Sequence, residues 1–390
     1  MFAISSFRRR IARPLLAVAA ALALAACQPT TGTGGAGLDL GKPVQVALLV
    51  PGGSADSGDQ VVARSLTQAA QLAASEVQGV QIDLRVYNTG ADAGSTASAA
   101  ATAVEEGAKI ILGPVYADAA NAAGNAVASS GVNVLSFSNN TDIAGGNVFV
   151  LGPTFQNSAD RLVAQAVRSG RRSILIVHDR TPAGDLGRRA IETAIARNGA
   201  SSAGAVSYEF SQQGVISAIP SIAAAAKTGG ASAIFFTADT AGALPLLTQL
   251  VTEAGVSPAT TKFIGLTRWD IPAATLSLPG VRGGWFALPD PGLANQFSAR
   301  YTAAYGEVPP PIAGLAYDGI AAIAALARSG TAGGLSAAGL TQGSGFAGVT
   351  GVFRFRPDGT NERGIAVAEI QNGQVVVIDP APRSFGGAGF

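Results

Sequence analysis

His178 is the only histidine in 390 residues and Cys27 the only cysteine. A Ser-His-Asp relay would have to run through His178, which ends the apolar stretch 174–177 and precedes Asp179. The Gly-x-Ser-x-Gly turn that presents a hydrolase serine does not occur. His178 reads more simply as a strand-end residue, bonding locally or facing water. One Cys and one His also exclude a disulfide framework and a Cys/His zinc site. With no nucleophile, base and orienter set legible, the chain reads as non-enzymatic, with no metal and no cofactor. A literal GxGxxG at residues 32–37 precedes the first strand instead of following one, so it is no dinucleotide fingerprint.

Residues suited to holding a ligand are easier to find. Arg268-Trp269-Asp270 offers a planar fork for a carboxylate beside a large apolar wall; the competing reading packs Trp269 on a sheet edge and leaves Arg268 solvated. Tyr116 follows Gly113-Pro114-Val115 as a candidate cleft aromatic. Ser54, Ser138, Asn139 and Asn140 bring hydroxyls and amides in loops. Asp179 and Asp239 follow strand ends, where a carboxylate either meets a ligand ammonium or caps the next helix. Arg354 and Arg356 share one face of a hairpin whose turn is Pro357-Asp358-Gly359, either as plain surface or as a patch for a partner protein.

The positioning elements follow from hydrophobic periodicity. Short apolar runs (44–50, 82–87, 109–112, 132–137) alternate with helical stripes (59–77, a Ser/Ala-rich stretch to 106, 118–129). The pattern restarts with helix 157–169, strand 173–178, helix 186–198, strand 205–210, helix 215–227, strand 233–237, helix 240–254 and strand 263–266. Two more helices fall within 291–328, and 351–378 reads as an antiparallel tail. Continuous apolar strands between helices signal parallel sheets covered on both faces. The expected fold is α/β: two doubly wound parallel-sheet lobes joined by a hinge. Ligands of such sheets sit beyond the carboxyl ends of the strands. That rule nominates loops 51–54, 113–116 and 136–140 in the first lobe, and 179–181, 237–239 and 267–270 in the second.

Composition agrees. Hydrophobic residues make up 48% and charged residues 13%, against about 25% in a typical domain. Lys+Arg 26 against Asp+Glu 25 provides no basic face for nucleic acid. At the amino terminus Arg8, Arg9, Arg10 and Arg13 precede an apolar run too short to span a bilayer, ending Leu24-Ala25-Ala26-Cys27. This resembles a bacterial lipobox, in which Cys27 is acylated and becomes the first mature residue; the alternatives are an ordinary signal peptide and an apolar cytoplasmic tail. The expected organisation is signal peptide 1–26, a flexible tether 27–43 with a reach of roughly 20 Å, and then the lobes. Loss of residues 1–26 moves the net charge from +1 to −3. Gln28 at the next position points to the outer membrane over the inner.

Gly113-Pro114, Val134-Leu135-Ser136 and Ile174 to Asp179 resemble the type I periplasmic binding proteins of the Leu/Ile/Val-binding family, over residues 44–380. Gly265 to Asp270, Ala313-Gly314-Leu315-Ala316-Tyr317-Asp318 and 351–358 are similar to lipoproteins described as penicillin-binding protein activators, a branch of that fold. The resemblance implies three hinge crossovers, a first lobe of 44–153 plus 291–342, a second of 154–290 plus 343–380, and a tail of 381–390. It implies a periplasmic lipoprotein that contacts a cell-wall synthase and regulates peptidoglycan assembly. The alternative it implies is the substrate-binding component of an ABC transporter for an amino acid or similar small polar solute, with a permease as partner. The family's usual Ser or Thr after Gly-Pro is Ala117 here, and its Tyr-Gly in the second lobe is replaced by Ala183-Gly184, so the amino-acid pocket does not carry over intact.

Overall fold

The computed structural model describes residues 42–330 and 333–386; Cys27, the signal peptide and most of the tether lie outside them. The first sheet is built from β1 (Val44–Val50), β2 (Ile82–Asn88), β3 (Ile110–Leu112), β4 (Asn133–Ser136) and β5 (Val148–Val150), in the order β2-β1-β3-β4-β5. Every pairing in it is parallel, with Val46 opposite Ile110 and Ile111 opposite Val134. The inner strands β3 and β4 are buried throughout and β1 at all but Gln45, as a sheet covered on both faces requires.

One cover is α1 (Ser57–Glu76), whose buried Ala63, Leu66, Ala69, Ala70 and Ala73 form a helical stripe. The Asp56 side chain accepts from Gly58 N at its start. The other cover comprises α2 (Ala93–Glu105) and α3 (Ala117–Val127). Two later helices, α8 (Pro291–Tyr305) and α9 (Ala313–Arg328), join the α1 side. Twelve of the sixteen residues of α9 are buried, so it is a core helix of this lobe.

The second sheet runs β15-β14-β10-β9-β8-β6-β7. Its parallel part is β6 (Ser173–Asp179), β7 (Ser201–Tyr208), β8 (Ala233–Phe236), β9 (Lys262–Gly265) and β10 (Trp285–Leu288). The strands β14 (Ala366–Gln371) and β15 (Gln374–Asp379) extend it antiparallel. One face is covered by α4 (Phe155–Arg168) and α5 (Pro182–Arg197), the other by α6 (Gln212–Thr228) and α7 (Leu244–Glu253). A short α10 (Ala337–Leu340) precedes a small antiparallel sheet of β11 (Phe346–Gly348), β12 (Gly351–Phe355) and β13 (Asn361–Arg363).

The α/β architecture with two parallel-sheet lobes is the one expected, with three local differences. The strand expected at 205–210 is β7 at Ser201–Tyr208; it is an edge strand whose first two residues are exposed serines, so apolar content did not mark its start. The three-residue β5 was not anticipated. The small sheet does not start the second lobe at 343. Phe346, Phe353 and Phe355 belong to the same core as Val46 and Leu66, with Phe355 edge-on to Phe149 at 5.6 Å. The third crossover therefore comes after Arg363, at Gly364 and Ile365. Among the described residues no helix is long and apolar enough to cross a membrane.

Candidate functional site

A cleft of about 640 Å³ opens between the lobes at the carboxyl ends of strands from both sheets, within the size range of small-molecule sites. The first lobe contributes the β3–α3 loop with Val115, Tyr116 and Ala117, and the segment after β4 from Phe137 to Asn140. The second contributes Leu266, Thr267 and Arg268 after β9, and Ala287, Leu288 and Pro289 around the end of β10. The floor is made by Pro153, Thr154, Phe155 and Ser158 at the first crossover, with Thr350, Arg363 and Ile365 near the third. Pro311, Ile312 and Leu315 close it from the start of α9. The walls are predominantly carbon.

Two fixed structures hold this floor. In the first, Asp318 of α9 is fully buried and meets Arg363 of β13 at 3.3 Å. Asp318 also accepts from Val349 N at 2.7 Å and from the Thr350 hydroxyl. Arg363 donates to Thr350 Oγ1 at 2.8 Å and, through Nε and Nη2, to the carbonyl of Leu151. Burial pushes the Asp318 carboxyl up and the Arg363 guanidinium down, and their mutual attraction opposes both shifts. In the second, Asn361 Nδ2 donates to the carbonyls of Val150 and Gly152 at 2.8 and 2.7 Å. β13 thereby grips three successive carbonyls of the first crossover, so these two crossovers are stitched together by side chains.

The structure brings Tyr116, Ser138, Asn139, Asn140 and Arg268 together around the cleft. Tyr116 donates its hydroxyl to Asp59 of α1. That hydrogen bond, with burial, pushes the phenol up to about 12. Asp59 is held below its usual range by hydrogen bonds from Ser54 and Tyr116. Ser138 Oγ accepts from Asn140 N at 3.1 Å, shaping the loop after β4. Arg268 is clamped from one side by Asp270, with Nε donating to Oδ1 at 2.9 Å and Nη2 to Oδ2.

The other expected site residues are placed elsewhere. Ser54 lies at the start of α1, where its Oγ accepts from Asp56 N at 3.1 Å. Asp179 is used locally: its Oδ1 accepts from Thr181 N at 3.1 Å and from the Thr181 hydroxyl. Asp239 accepts from Gly242 N at 2.6 Å. Neither caps the next helix, since the N-cap of α5 is Thr181 and that of α7 is Ala243; both carboxylates are taken up by donors two and three residues ahead in their own loops. Asp270 serves Arg268. Trp269 is fully buried in the second lobe, so it is not a wall of the cleft. Its indole occupies a slot made by two glycines. A Cβ on Gly265 would lie 2.0 Å from Nε1, and one on Gly284 would lie 2.2 Å from Cζ3. The Trp269 N–H has no hydrogen-bond partner among the described residues, so packing and not polar recognition fixes this side chain.

Sequence reasoning did not single out the apolar walls Phe155, Leu266, Ile312 and Leu315, nor Phe137 within the nominated loop 136–140. It also missed Arg363, whose role depends on Asp318, 45 residues away. Arg354 and Arg356 both pair with Glu362, at 2.7 and 3.3 Å. His178 is buried at the end of β6, with Nδ1 3.1 Å from the Asp179 carbonyl. No cluster of three or more His, Cys, Asp or Glu able to hold a metal occurs among the described residues.

A second cavity, of about 660 Å³, lies on the other side of the crossovers. Thr154 and Arg363 line both. Its surface is charged: Asp160 and Arg197 pair at 3.1 Å, and Arg356 reaches Glu362 beside them.

Solved structures sharing this architecture are numerous. A putative branched-chain amino acid ABC transporter protein from Rhodospirillum rubrum aligns over 86% of this chain and 100% of its own, with 19% identity and a TM-score of 0.74. An ABC transporter substrate-binding protein from Desulfitobacterium hafniense in complex with Leu aligns over 86% and 100%, at 18% and 0.64. A solute-binding protein of an ABC transporter from Rhodopseudomonas palustris BisB5, in complex with 3,4-dihydroxybenzoic acid, aligns over 87% and 98%, at 17% and 0.58. At these identities the likeness is one of fold. No curated protein sequence matches the chain. The family model described as periplasmic binding protein matches residues 43–374, nearly all of the two-lobed body, and the chain belongs to that family.

Proposed function

We propose that this chain is the solute-binding component of an ABC transporter, capturing a small, largely apolar solute between its lobes in the periplasm and presenting it to a permease. The observation that carries this reading is the cleft itself. It is of ligand size, sits at the carboxyl ends of strands from two hinged sheets, and is walled mainly by carbon. Closing such walls on a solute removes apolar surface from water, at roughly 25 cal/mol per Å², and creates a closed form a partner can distinguish. Anchoring through an acylated Cys27 is part of the same proposal.

The cell-wall activator reading loses its footing in the roles of the residues that suggested it. Gly265 and Trp269 form a packing slot, and Asp318 belongs to the ion pair under the cleft. Arg354 and Arg356 are bound to Glu362. These features identify an architecture, not a synthase partner.

Thermal unfolding with a panel of small aliphatic and aromatic solutes tests the proposal. A ligand at 100 times its Kd stabilises by about 2.7 kcal/mol, and Ile312→Arg, which fills the cleft from α9, abolishes the shift. A panel producing no shift, or a shift that survives Ile312→Arg, refutes it.

A further inference from the structure

We propose that the groove behind the crossovers is a second binding site, and that its ligand is a neutral polyhydroxylated solute, a sugar, held by the unspent edges of paired charges. The proposal is independent of what the cleft binds.

The groove is as roomy as the cleft, about 660 Å³, and joins parts of both lobes. The β12–β13 hairpin supplies Arg356, Asp358 and Glu362, and it packs in the first-lobe core through Phe353 and Phe355. The second-lobe helices supply Asp160 from α4 and Arg197 from the end of α5. Burial raises the Asp160 carboxyl, and Gln156, Arg197 and Arg356 oppose that shift, so the charges of hairpin and helices face one space. Arg161 and Arg363 also line the groove, but they are engaged by Asp379 and Asp318.

What remains is a set of pairs, each only partly used. Arg197 donates Nη1 to Asp160 at 3.1 Å, and Arg356 Nη2 stands 3.3 Å from Glu362. The other guanidinium nitrogens of both side chains make no hydrogen bond among the described residues. Glu362 accepts from Arg354 through Oε2, which leaves Oε1 unspent. Asp358 accepts from the Thr360 N–H and hydroxyl through Oδ1, which leaves Oδ2. Asn361, which also lines the groove, spends Nδ2 on two carbonyls, while its buried Oδ1 has no partner among the described residues.

An ion entering here meets a like charge beside each opposite one and gives up its hydration as well. A hydroxyl both donates and accepts. Neighbouring hydroxyls of a sugar can therefore take guanidinium N–H groups and carboxylate oxygens together, in charge-assisted hydrogen bonds, without breaking either pair. No aromatic side chain lines the groove, so hydrogen bonds and not ring stacking select the ligand.

Titration calorimetry of the full chain with maltose, trehalose and cellobiose, beside spermidine and citrate, tests this. At least one disaccharide binds, at least tenfold more tightly than either ion. Arg197→Ala, at a half-exposed side chain, weakens that binding at least fivefold. Ala164→Trp, which fills the groove from α4, abolishes it; where that variant does not fold, Arg197→Ala decides alone. Ile312→Arg, which fills the cleft instead, leaves it within twofold. Binding by none of the three sugars, either ion within tenfold of the best sugar, or indifference to either groove variant overturns the proposal. So does loss of sugar binding in Ile312→Arg, which would put the sugar in the cleft.

Discussion

On one side of the crossovers the cleft is walled by Phe137, Phe155, Leu266, Ile312 and Leu315; on the other the groove is lined by Asp160, Arg197, Arg356 and Glu362. The two cavities are nearly equal in volume and share Thr154 and Arg363, yet their chemistry is opposite. Apolar walls reward closure because the gain grows with the area removed from water. Ion pairs such as Arg197–Asp160, with side chains 50% and 31% exposed, are worth little in water and break or re-form cheaply. A hinge with a dry side and a wet side can therefore shut on the dry side while the wet side adjusts its charges against solvent. Asn361 and Arg363 tie the chain after β12 to the carbonyls of Val150, Leu151 and Gly152 between the two cavities.

The largest effect expected from breaking this arrangement is at the shared pivot. Asp318→Asn leaves the buried Arg363 without its counter-charge, a change that costs about 3–5 kcal/mol in comparable sites. Urea unfolding should show a loss of that size, and a loss under 1 kcal/mol would show the pair to be incidental. Next comes the dry side. Phe155→Ala removes a wall and should weaken ligand binding about 10- to 100-fold, or about 1.5–3 kcal/mol. Arg356→Ala on the wet side should leave calorimetric affinity within about twofold. Equal losses from the two variants would erase the distinction between the cavities.

A smaller effect belongs to Asp160. Burial holds its carboxyl above the usual range, against the pull of Arg197. The folded-state value being raised, its contribution is present in acid and is lost as pH rises through that value. Asp160→Asn abolishes this loss but also the surface pair, so its stability stays within about 1 kcal/mol of the wild type. Melting curves from pH 3 to 7 should show the variant gaining relative to the wild type as pH increases; a relative decline would reverse the assignment. The smallest change is Tyr116→Phe, which removes the bond to Asp59 at the cleft rim and costs about 0.5–1 kcal/mol near neutral pH. With the phenol at about 12, that contribution persists through pH 10 and vanishes above pH 12. The gap between wild type and variant in alkaline melts should close over that interval.

Much of this molecule was legible along the chain. Apolar runs such as Ile174–Val177 and stripes such as Ala63, Leu66, Ala70 and Ala73 reflect strand and helix periods that need no distant partner to be read. The loops beyond the strand ends followed from parallel-sheet geometry, and Tyr116, Ser138, Asn139, Asn140 and Arg268 in them do reach the cleft. Others in the same loops do not. Asp179 and Asp239 find donors within three residues, and local hydrogen bonds form regardless of what lies across the cleft. Tertiary structure alone decided the rest. Trp269 is buried because Gly265 and the distant Gly284 leave a slot of its shape. Phe346, Phe353 and Phe355 join the first lobe because β12 turns its inward face onto Phe149. Arg363 lines the cleft because Asp318, far away in the chain, neutralises it there. Periodicity encodes which way a residue faces within its own element; which elements meet, and so which faces enclose a ligand, is settled only when the cores of both lobes pack.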